Sequence, residues 1–320
     1  MMTASQGGTG LRITVLGEGA WGSTLRRLWQ RQGHELRSWT RSRGEAPEPL
    51  LLNTDLVVSA VSMAGVDALA ARLAPHWPAD LPLLSCSKGI DPQRLSTASR
   101  IWQQQLAAAS GQAGPSLAVL SGPNLADELD RDLPAASVIA SHDPHLATLL
   151  QRQLAAPNLR LYTNSDPVGT EAAGALKNVM AVAAGISDGL GLGANAKASL
   201  LCRGLAEIGV VVDALGGQPT TLYGLAGLGD LLATANSPLS RNYRFGQLLA
   251  EGISEQAALN RIGATVEGPR TARAALALAH QLECHLPICE QIEALLAGRV
   301  QVREVVSTLM RRDPRAEVTG

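Results

Sequence analysis

The first half of the chain alternates short apolar or β-branched runs with helical stretches. LRITVLG (11–17), HELRSWT (34–40), DLVVSAV (55–61), LPLLSCS (81–87), LAVLSG (117–122), ASVIAS (136–141) and LRLYTN (159–164) read as strands, and TLRRLWQRQ (24–32) reads as the first helix. Strands separated by helical segments predict a mostly parallel sheet covered on both faces, and runs such as LVVSAV and LAVL suit strands buried on both sides. The pattern changes near residue 165. Asp166-Pro167 has the form of an N-cap followed by proline at the first helical position. Beyond it the stretches 167–187, 195–215, 220–235, 241–251, 269–283, 287–298 and 301–312 are rich in alanine and leucine and are separated by glycine, proline or Asn-Ser groups. The expected fold is an α/β Rossmann-type domain over residues 1–165 followed by an all-α domain over 166–320, with residues 1–9 as a disordered tail.

The first strand leads directly into Gly17-Glu-Gly19-Ala20-Trp21-Gly22 and then a helix. This is G-x-G-x-x-G in its required setting. The first glycine permits a tight turn, the second lets a pyrophosphate approach the backbone, and the third lets helix and strand pack closely. The helix N-terminus then offers N–H groups to the phosphates; a glycine-rich turn without a ligand is the competing explanation. The second strand ends in Thr40-Arg41-Ser42-Arg43, with no acid to hold a ribose 2′-hydroxyl, so NADP is expected to be accepted, with a preference for it over NAD left open. Arg41 and Arg43 can equally be solvated loop charges.

Composition narrows the partners. The formal net charge is -1, with aromatics at 3%, which gives neither a basic footprint nor a stacking surface for nucleic acid. No stretch has the roughly 20 apolar residues of a membrane span and the start lacks a signal-peptide pattern, so a cytoplasmic location is expected. Cys86, Cys202, Cys284 and Cys289 form no C-x-x-C pair, so buried free thiols are expected rather than a metal site.

Lysine use is the oddest feature of the composition. The chain has 24 arginines but only three lysines, Lys88, Lys177 and Lys197. Lys88 follows the strand LPLL, at the edge where open α/β sheets bind ligands, and Ser121-Gly122-Pro123 follows LAVL in the same way. Lys177 lies within the apolar helix EAAGALKNVMA. A free lysine, with a pKa near 10.4, is only about 0.1% neutral at pH 7.5, and burial beside positive groups lowers that pKa. Arginine cannot serve, because it stays protonated. Lys177 is therefore either a proton donor and acceptor for a carbonyl or alcohol, or a lysine whose amine snorkels to the surface. Ser240-Arg241-Asn242 combines the donors suited to a phosphate, and can equally cap a helix. The glycine-rich GLAGLGDL carries Asp230, and Thr265-Val-Glu267-Gly268 carries one acid in an apolar stretch.

Together GEGAWGS, SCSKGI, SGPNLADEL, GALKNVMAVAAGISDGLGLGANAKASL, GLAGLGDL, SRNYRFG and TVEGPR run in order from about residue 11 to 310. In this order they closely resemble the bacterial NAD(P)-dependent glycerol-3-phosphate dehydrogenases. The resemblance implies reversible reduction of dihydroxyacetone phosphate to sn-glycerol 3-phosphate for phospholipid synthesis, and a homodimer. It implies Lys177 as catalytic residue. It implies Lys88, Gly122, Asn124, Asp230, Ser240, Arg241 and Asn242 around the substrate, with Lys88 and Arg241 also touching the cofactor. Gly17, Gly19, Ala20, Trp21, Gly22, Arg41, Arg43, Ala126, Thr265 and Glu267 complete the cofactor set. Ala20 and Asn124 stand where the family usually has small hydroxyl residues, which puts individual hydrogen bonds in doubt. The connection at 44–54 is much shorter than the family's. Two rivals remain: a ketopantoate reductase or β-hydroxyacid dehydrogenase of the same architecture, and a cofactor-binding regulatory protein without turnover.

Overall fold

The computed structural model describes residues 10–111 and 114–311, so the expected tail at 1–9 lies outside the described residues. The first half contains, in order, β1 (Arg12–Leu16), α1 (Ala20–Arg31), β2 (Glu35–Trp39), β3 (Leu56–Ser59), α2 (Met63–Leu73), β4 (Leu83–Ser85), β5 (Ile90–Asp91) and β6 (Ser96–Thr97). It continues through α3 (Ala98–Ser110), β7 (Leu117–Ser121), α4 (Ala126–Asp130), β8 (Ala135–Ala140), α5 (Pro144–Leu154) and β9 (Leu159–Asn164). Seven of these strands form one sheet in the order β2-β1-β3-β4-β7-β8-β9, parallel except for the β7–β8 pair, while β5 and β6 make a separate two-stranded ladder. The chain moves from β1 outward to β2 and returns to β3 on the other side of β1, so the switch point at which α/β sheets bind ligands lies between β1 and β3. Two apolar clusters, one around Trp29, Leu25 and Leu150 and the other around Trp102, Leu73 and Leu51, cover the sheet on its two faces.

The second half is helical: α6 (Pro167–Gly189), α7 (Gly193–Ala214), α8 (Asp230–Ala235), α9 (Arg241–Ala250), α10 (Glu255–Ile262), α11 (Gly268–Gln281), α12 (Pro287–Leu296) and α13 (Val302–Met310). Asp166 caps α6 by accepting from the Gly169 N–H at 2.8 Å, as the Asp-Pro pair predicts. α6 is the central rod of this half, buried along nearly its whole length. Its residues are Ala, Gly and Val where α9 crosses it. A Cβ at Gly185 would come within 2.0 Å of the Tyr243 carbonyl oxygen, and one at Gly246 within 2.0 Å of that of Val182, so two backbones meet here at a separation only glycine permits. That contact fixes the start of α9, with Ser240 at its N-cap, against the middle of α6.

Three expectations are corrected. The stretch 220–235 is not one helix: a 3-10 turn (Pro219–Tyr223) is followed by a π-helical turn (Leu225–Gly229) before α8 begins, because Gly224, Gly227 and Gly229 weaken the α-helix in between. α10 is an additional helix, capped by Ser254 through the Ala257 N–H; its mostly polar surface left little apolar periodicity to read. Of the cysteines, Cys86 and Cys289 are buried, but Cys202 is exposed. Among the described residues no cluster of metal-binding side chains occurs, and no helix is long and apolar enough to cross a membrane. The short 44–54 connection folds as a 3-10 turn (Glu48–Leu51), pinned by Leu51 in the core and by the Thr14 hydroxyl, which donates to the Leu50 carbonyl at 3.0 Å.

Candidate active site

The glycine turn has the backbone geometry its spacing predicts. Gly17 sits at φ +104°, in the left-handed region, where a Cβ would lie 2.7 Å from the Ala60 carbonyl oxygen at the end of β3. At Gly22 a Cβ would stand 1.9 Å from the Gly17 oxygen, so α1 packs directly on the turn. Around Gly19 nothing lies within 4 Å of that position, leaving an open approach to the first turn of α1. Gly19 gives that helix no side-chain cap, and no acid stands in its first turn. An uncapped N-terminus with an open face fits a pyrophosphate. Ala20 is exposed beside it and Trp21 is half-buried. Arg41 lies over the first turn of α2, its Nη2 3.4 Å from where a Cβ at Gly65 would be, whereas Arg43 pairs with Glu18. Glu267, at the start of α11, reaches the same turn: its Oε1 accepts from the Met63 N–H at 3.3 Å. Burial raises the pKa of this carboxyl, opposed by the Met63 N–H and by Arg270 and Arg241. Thr265 is exposed, and Ala126, the first residue of α4, is half-buried.

The other half of the site forms where α6 and α8 meet the carboxyl edge of the sheet. Lys177, on α6, donates from Nζ to Asp230 Oδ1 at 2.7 Å and to Thr234 Oγ1 at 2.6 Å. Lys88, just past β4, donates to Asp230 Oδ2 at 2.6 Å and to the Gly122 carbonyl at 3.1 Å. One carboxylate, 1% exposed, thus bridges two ammonium groups that come from different halves of the chain. α6 approaches this closely because of Gly174, where a Cβ would meet Ser121 Oγ at 2.8 Å. One turn earlier, Glu171 is buried and accepts from the Ser99 N–H at 3.0 Å, the Ser99 hydroxyl and the Ser85 hydroxyl at 3.3 Å, fastening α6 to the sheet half.

The excess of positive charge has a consequence for Lys177. Burial, together with the Lys88 and Arg241 charges, lowers its pKa to about 8, although Asp230 holds it up. At that value roughly a quarter of the amine is neutral at pH 7.5. The snorkelling alternative is excluded, because Lys177 is 7% exposed and directed inward. Lys197 serves elsewhere, pairing with Asp188 at 2.5 Å beside the Tyr243 hydroxyl.

Around the lysines the donors are unevenly committed. Asn242 accepts from the Gly268 N–H at 2.9 Å and donates to Asn178 Oδ1 at 2.9 Å, which leaves one N–H of its amide. Ser240 caps α9 by accepting from the Tyr243 N–H at 3.2 Å and keeps its hydroxyl proton to donate, while Arg241, the next residue, is exposed and its charge reaches Lys177. On the sheet side Gly122 is at φ +132° against Ser137. The Ser121 hydroxyl and the Asn124 amide nitrogen are buried with no hydrogen-bond partner among the described residues. Asn124 Oδ1 takes the Ser137 hydroxyl at 2.5 Å, so asparagine holds this position through its own bond. The sequence reading missed Thr234, Asn178, Glu171 and Glu18. Only Thr234, one helical turn after Asp230, could have been found from spacing.

The chain matches the family models described as the NAD-dependent glycerol-3-phosphate dehydrogenase N-terminus, over residues 47–147, and C-terminus, over 166–307. The chain belongs to the NAD-dependent glycerol-3-phosphate dehydrogenase family. A glycerol-3-phosphate dehydrogenase [NAD(P)+] from a Synechococcus strain is 52% identical over 96% of this chain and 99% of its own. One from a Synechocystis strain is 44% identical over 99% and 98%. The glycerol-3-phosphate dehydrogenase structure from Coxiella burnetii superposes with a TM-score of 0.88 at 31% identity, covering 95% of this chain and 99% of that one. A ketopantoate reductase structure from Ralstonia eutropha, at 15% identity and a TM-score of 0.56, shares the fold alone. The family interconverts dihydroxyacetone phosphate and glycerol 3-phosphate, so this dehydrogenase is an NAD(P)-dependent enzyme acting on a small molecule. The glycine turn lies ahead of the matched N-terminal segment, so its reading as a dinucleotide site rests on its own geometry.

Proposed function

We propose that the cleft between sheet and helices reduces dihydroxyacetone phosphate to sn-glycerol 3-phosphate with Lys177 as the proton donor, and runs the reverse reaction with neutral Lys177 as base. The observation that carries this reading is the buried Lys177–Asp230–Lys88 chain with its lysine brought to about 8. The nicotinamide, when bound, supplies the hydride that the carbonyl carbon accepts. As that carbon gains the hydride, its oxygen takes the electron pair of the C=O π bond, and the proton of Lys177 completes the alcohol. Lys88 and the remaining positive charge favour the developing oxyanion. Asp230 holds both amines in place and limits the fall of the Lys177 pKa. Ser240, Arg241 and the free N–H of Asn242 offer a guanidinium and neutral donors to the substrate phosphate. Gly122, Asn124 and the unpartnered Ser121 hydroxyl face it from the sheet side.

Gly17, Gly19, Ala20, Trp21, Gly22, Arg41, Arg43, Lys88, Ala126, Arg241, Thr265 and Glu267 are the proposed cofactor contacts. The division into domains at 1–165 and 166–320 follows the change from strands to helices after Asn164. A homodimer, a cytoplasmic location and a supply role in phospholipid synthesis rest on the resemblance, and the net charge of -1 speaks against a nucleic-acid partner. The test follows absorbance at 340 nm with NADH or NADPH. Rapid oxidation with dihydroxyacetone phosphate and at least about 10²-fold lower kcat/KM with dihydroxyacetone are expected, since the phosphate grip accounts for several charged hydrogen bonds. No oxidation of either cofactor with the phosphorylated substrate would sink the reading.

A further inference from the structure

The tip of β2 has arginines and no acid of its own, yet the structure brings an acid there by another route. Glu18, between the first two glycines, folds back over the edge between β1 and β2. Its Oε1 accepts from the Ser38 hydroxyl at 2.7 Å and lies 3.4 Å from Arg26 Nε, and its Oε2 pairs with Arg43. The carboxylate is mostly covered, at 15% side-chain exposure. The loop and strand are stitched together beneath it, since the Gly17 N–H donates to the Trp39 carbonyl at 2.8 Å. Ser38 and Arg43 bracket the point about 20 residues past the glycines where a dinucleotide fold reads the ribose 2′ position.

The two arginines at this tip are therefore not equivalent. Arg43 is held by Glu18, whereas Arg41 has no side-chain hydrogen bond or ion pair among the described residues. A carboxylate in this position accepts a hydrogen bond from a 2′-hydroxyl. Against a 2′-phosphate it acts twice, by like-charge repulsion and by occupying the guanidinium that would pair with the phosphate. We propose that Glu18, acting through Arg43, sets the balance between NAD and NADP in favour of NAD. The proposal rests on the reading that the glycine turn binds a dinucleotide. Arg41 remains as the group through which NADP is still accepted.

The test measures dissociation constants of the full-length protein for 5′-AMP and 2′,5′-ADP by calorimetry, since these probes differ only in the 2′-phosphate. Glu18→Gln keeps the shape of the side chain, removes its charge and releases Arg43. It is expected to raise the affinity for 2′,5′-ADP relative to 5′-AMP about tenfold or more. Adding Arg43→Ala to that variant should remove most of the gain, whereas Arg43→Ala alone should change the ratio less than about threefold. Ser38→Ala, which leaves every charge in place but frees Glu18 from its anchor, should move the ratio the same way by a smaller factor. A ratio that stays within about twofold of wild type in Glu18→Gln and in Ser38→Ala overturns the proposal, as does equal loss on Arg43→Ala in both backgrounds or wild type that binds neither probe. The probes contain neither nicotinamide nor triose. A wild type that shows these ratios but leaves dihydroxyacetone phosphate unreduced would contradict the reaction assigned above and leave the role of Glu18 standing.

Discussion

Lys177→Ala is expected to lower kcat for dihydroxyacetone phosphate reduction by about 10²- to 10⁴-fold, the usual range for a positioned general acid. The fold should survive, because Asp230 keeps its 2.6 Å partner Lys88 and so is not left as a lone buried charge. Lys177→Arg separates charge from proton transfer. It preserves a cation beside Asp230, but a guanidinium does not release a proton near neutral pH, so activity should stay close to that of the alanine variant. Steady-state kinetics with thermal unfolding as the folding control would check both variants. An arginine variant with near wild-type kcat would mean that Lys177 contributes only a positive charge.

Asp230→Asn has the second largest expected effect, and it has a sign. Asp230 is the group that holds the Lys177 pKa up against burial, Lys88 and Arg241. Without its charge that pKa falls further below about 8, and the pH at which reduction loses activity moves down with it. Two ammonium groups would then share a buried site with no counter-ion, a change that typically costs about 3–5 kcal/mol. Linkage fixes how this loss varies with pH. A lysine with a lowered folded-state pKa binds fewer protons folded than unfolded between that value and about 10.4, so stability rises with pH across the interval. The variant should therefore be least stable relative to wild type below its own lowered Lys177 pKa, and recover part of the difference as the pH rises from there to about 8. Denaturant unfolding at several pH values reads this directly; a loss that grows toward alkaline pH would contradict the assigned coupling.

What could be read from the sequence depended on how local each cause was. Gly17, Gly19 and Gly22 lie within six residues at the end of one strand, with Gly17 at φ +104° and Gly22 packed on the Gly17 oxygen, so their spacing already pointed to a tight turn opening a helix. Lys177 was visible because an amine in an apolar Ala/Gly helix is chemically odd wherever the rest of the chain sits. From its own residues Asp230 stood out only as part of a glycine-rich stretch, its place at the substrate coming from the family resemblance, because the π-helical turn of Leu225–Gly229 that delivers it next to both lysines follows no periodic pattern. Glu18 looked like an arbitrary residue between two glycines; its partners Ser38 and Arg43 arrive through the β1–β2 pairing, which sequence spacing alone does not bring into contact. Glu171 was hidden for the same reason, since Ser99 and Ser85 lie on separate elements of the other half. The two halves were each legible, whereas the bonds that join them at the cleft were not.

The central claim is that a single amine with a pKa of about 8 moves the proton in both directions. The pH dependence of kcat/KM, measured for dihydroxyacetone phosphate reduction and for glycerol 3-phosphate oxidation from about pH 6.5 to 9.5, tests it most directly. Reduction needs protonated Lys177, so its profile should be level on the acid side and fall tenfold per unit above about pH 8. Oxidation needs the neutral amine, so its profile should rise tenfold per unit to the same point and then level off. Opposed limbs that break together near pH 8 in wild type, and together at a lower pH in Asp230→Asn, are the predicted result. Profiles with no break between about pH 7 and 9, or with breaks unmoved in Asp230→Asn, would contradict it.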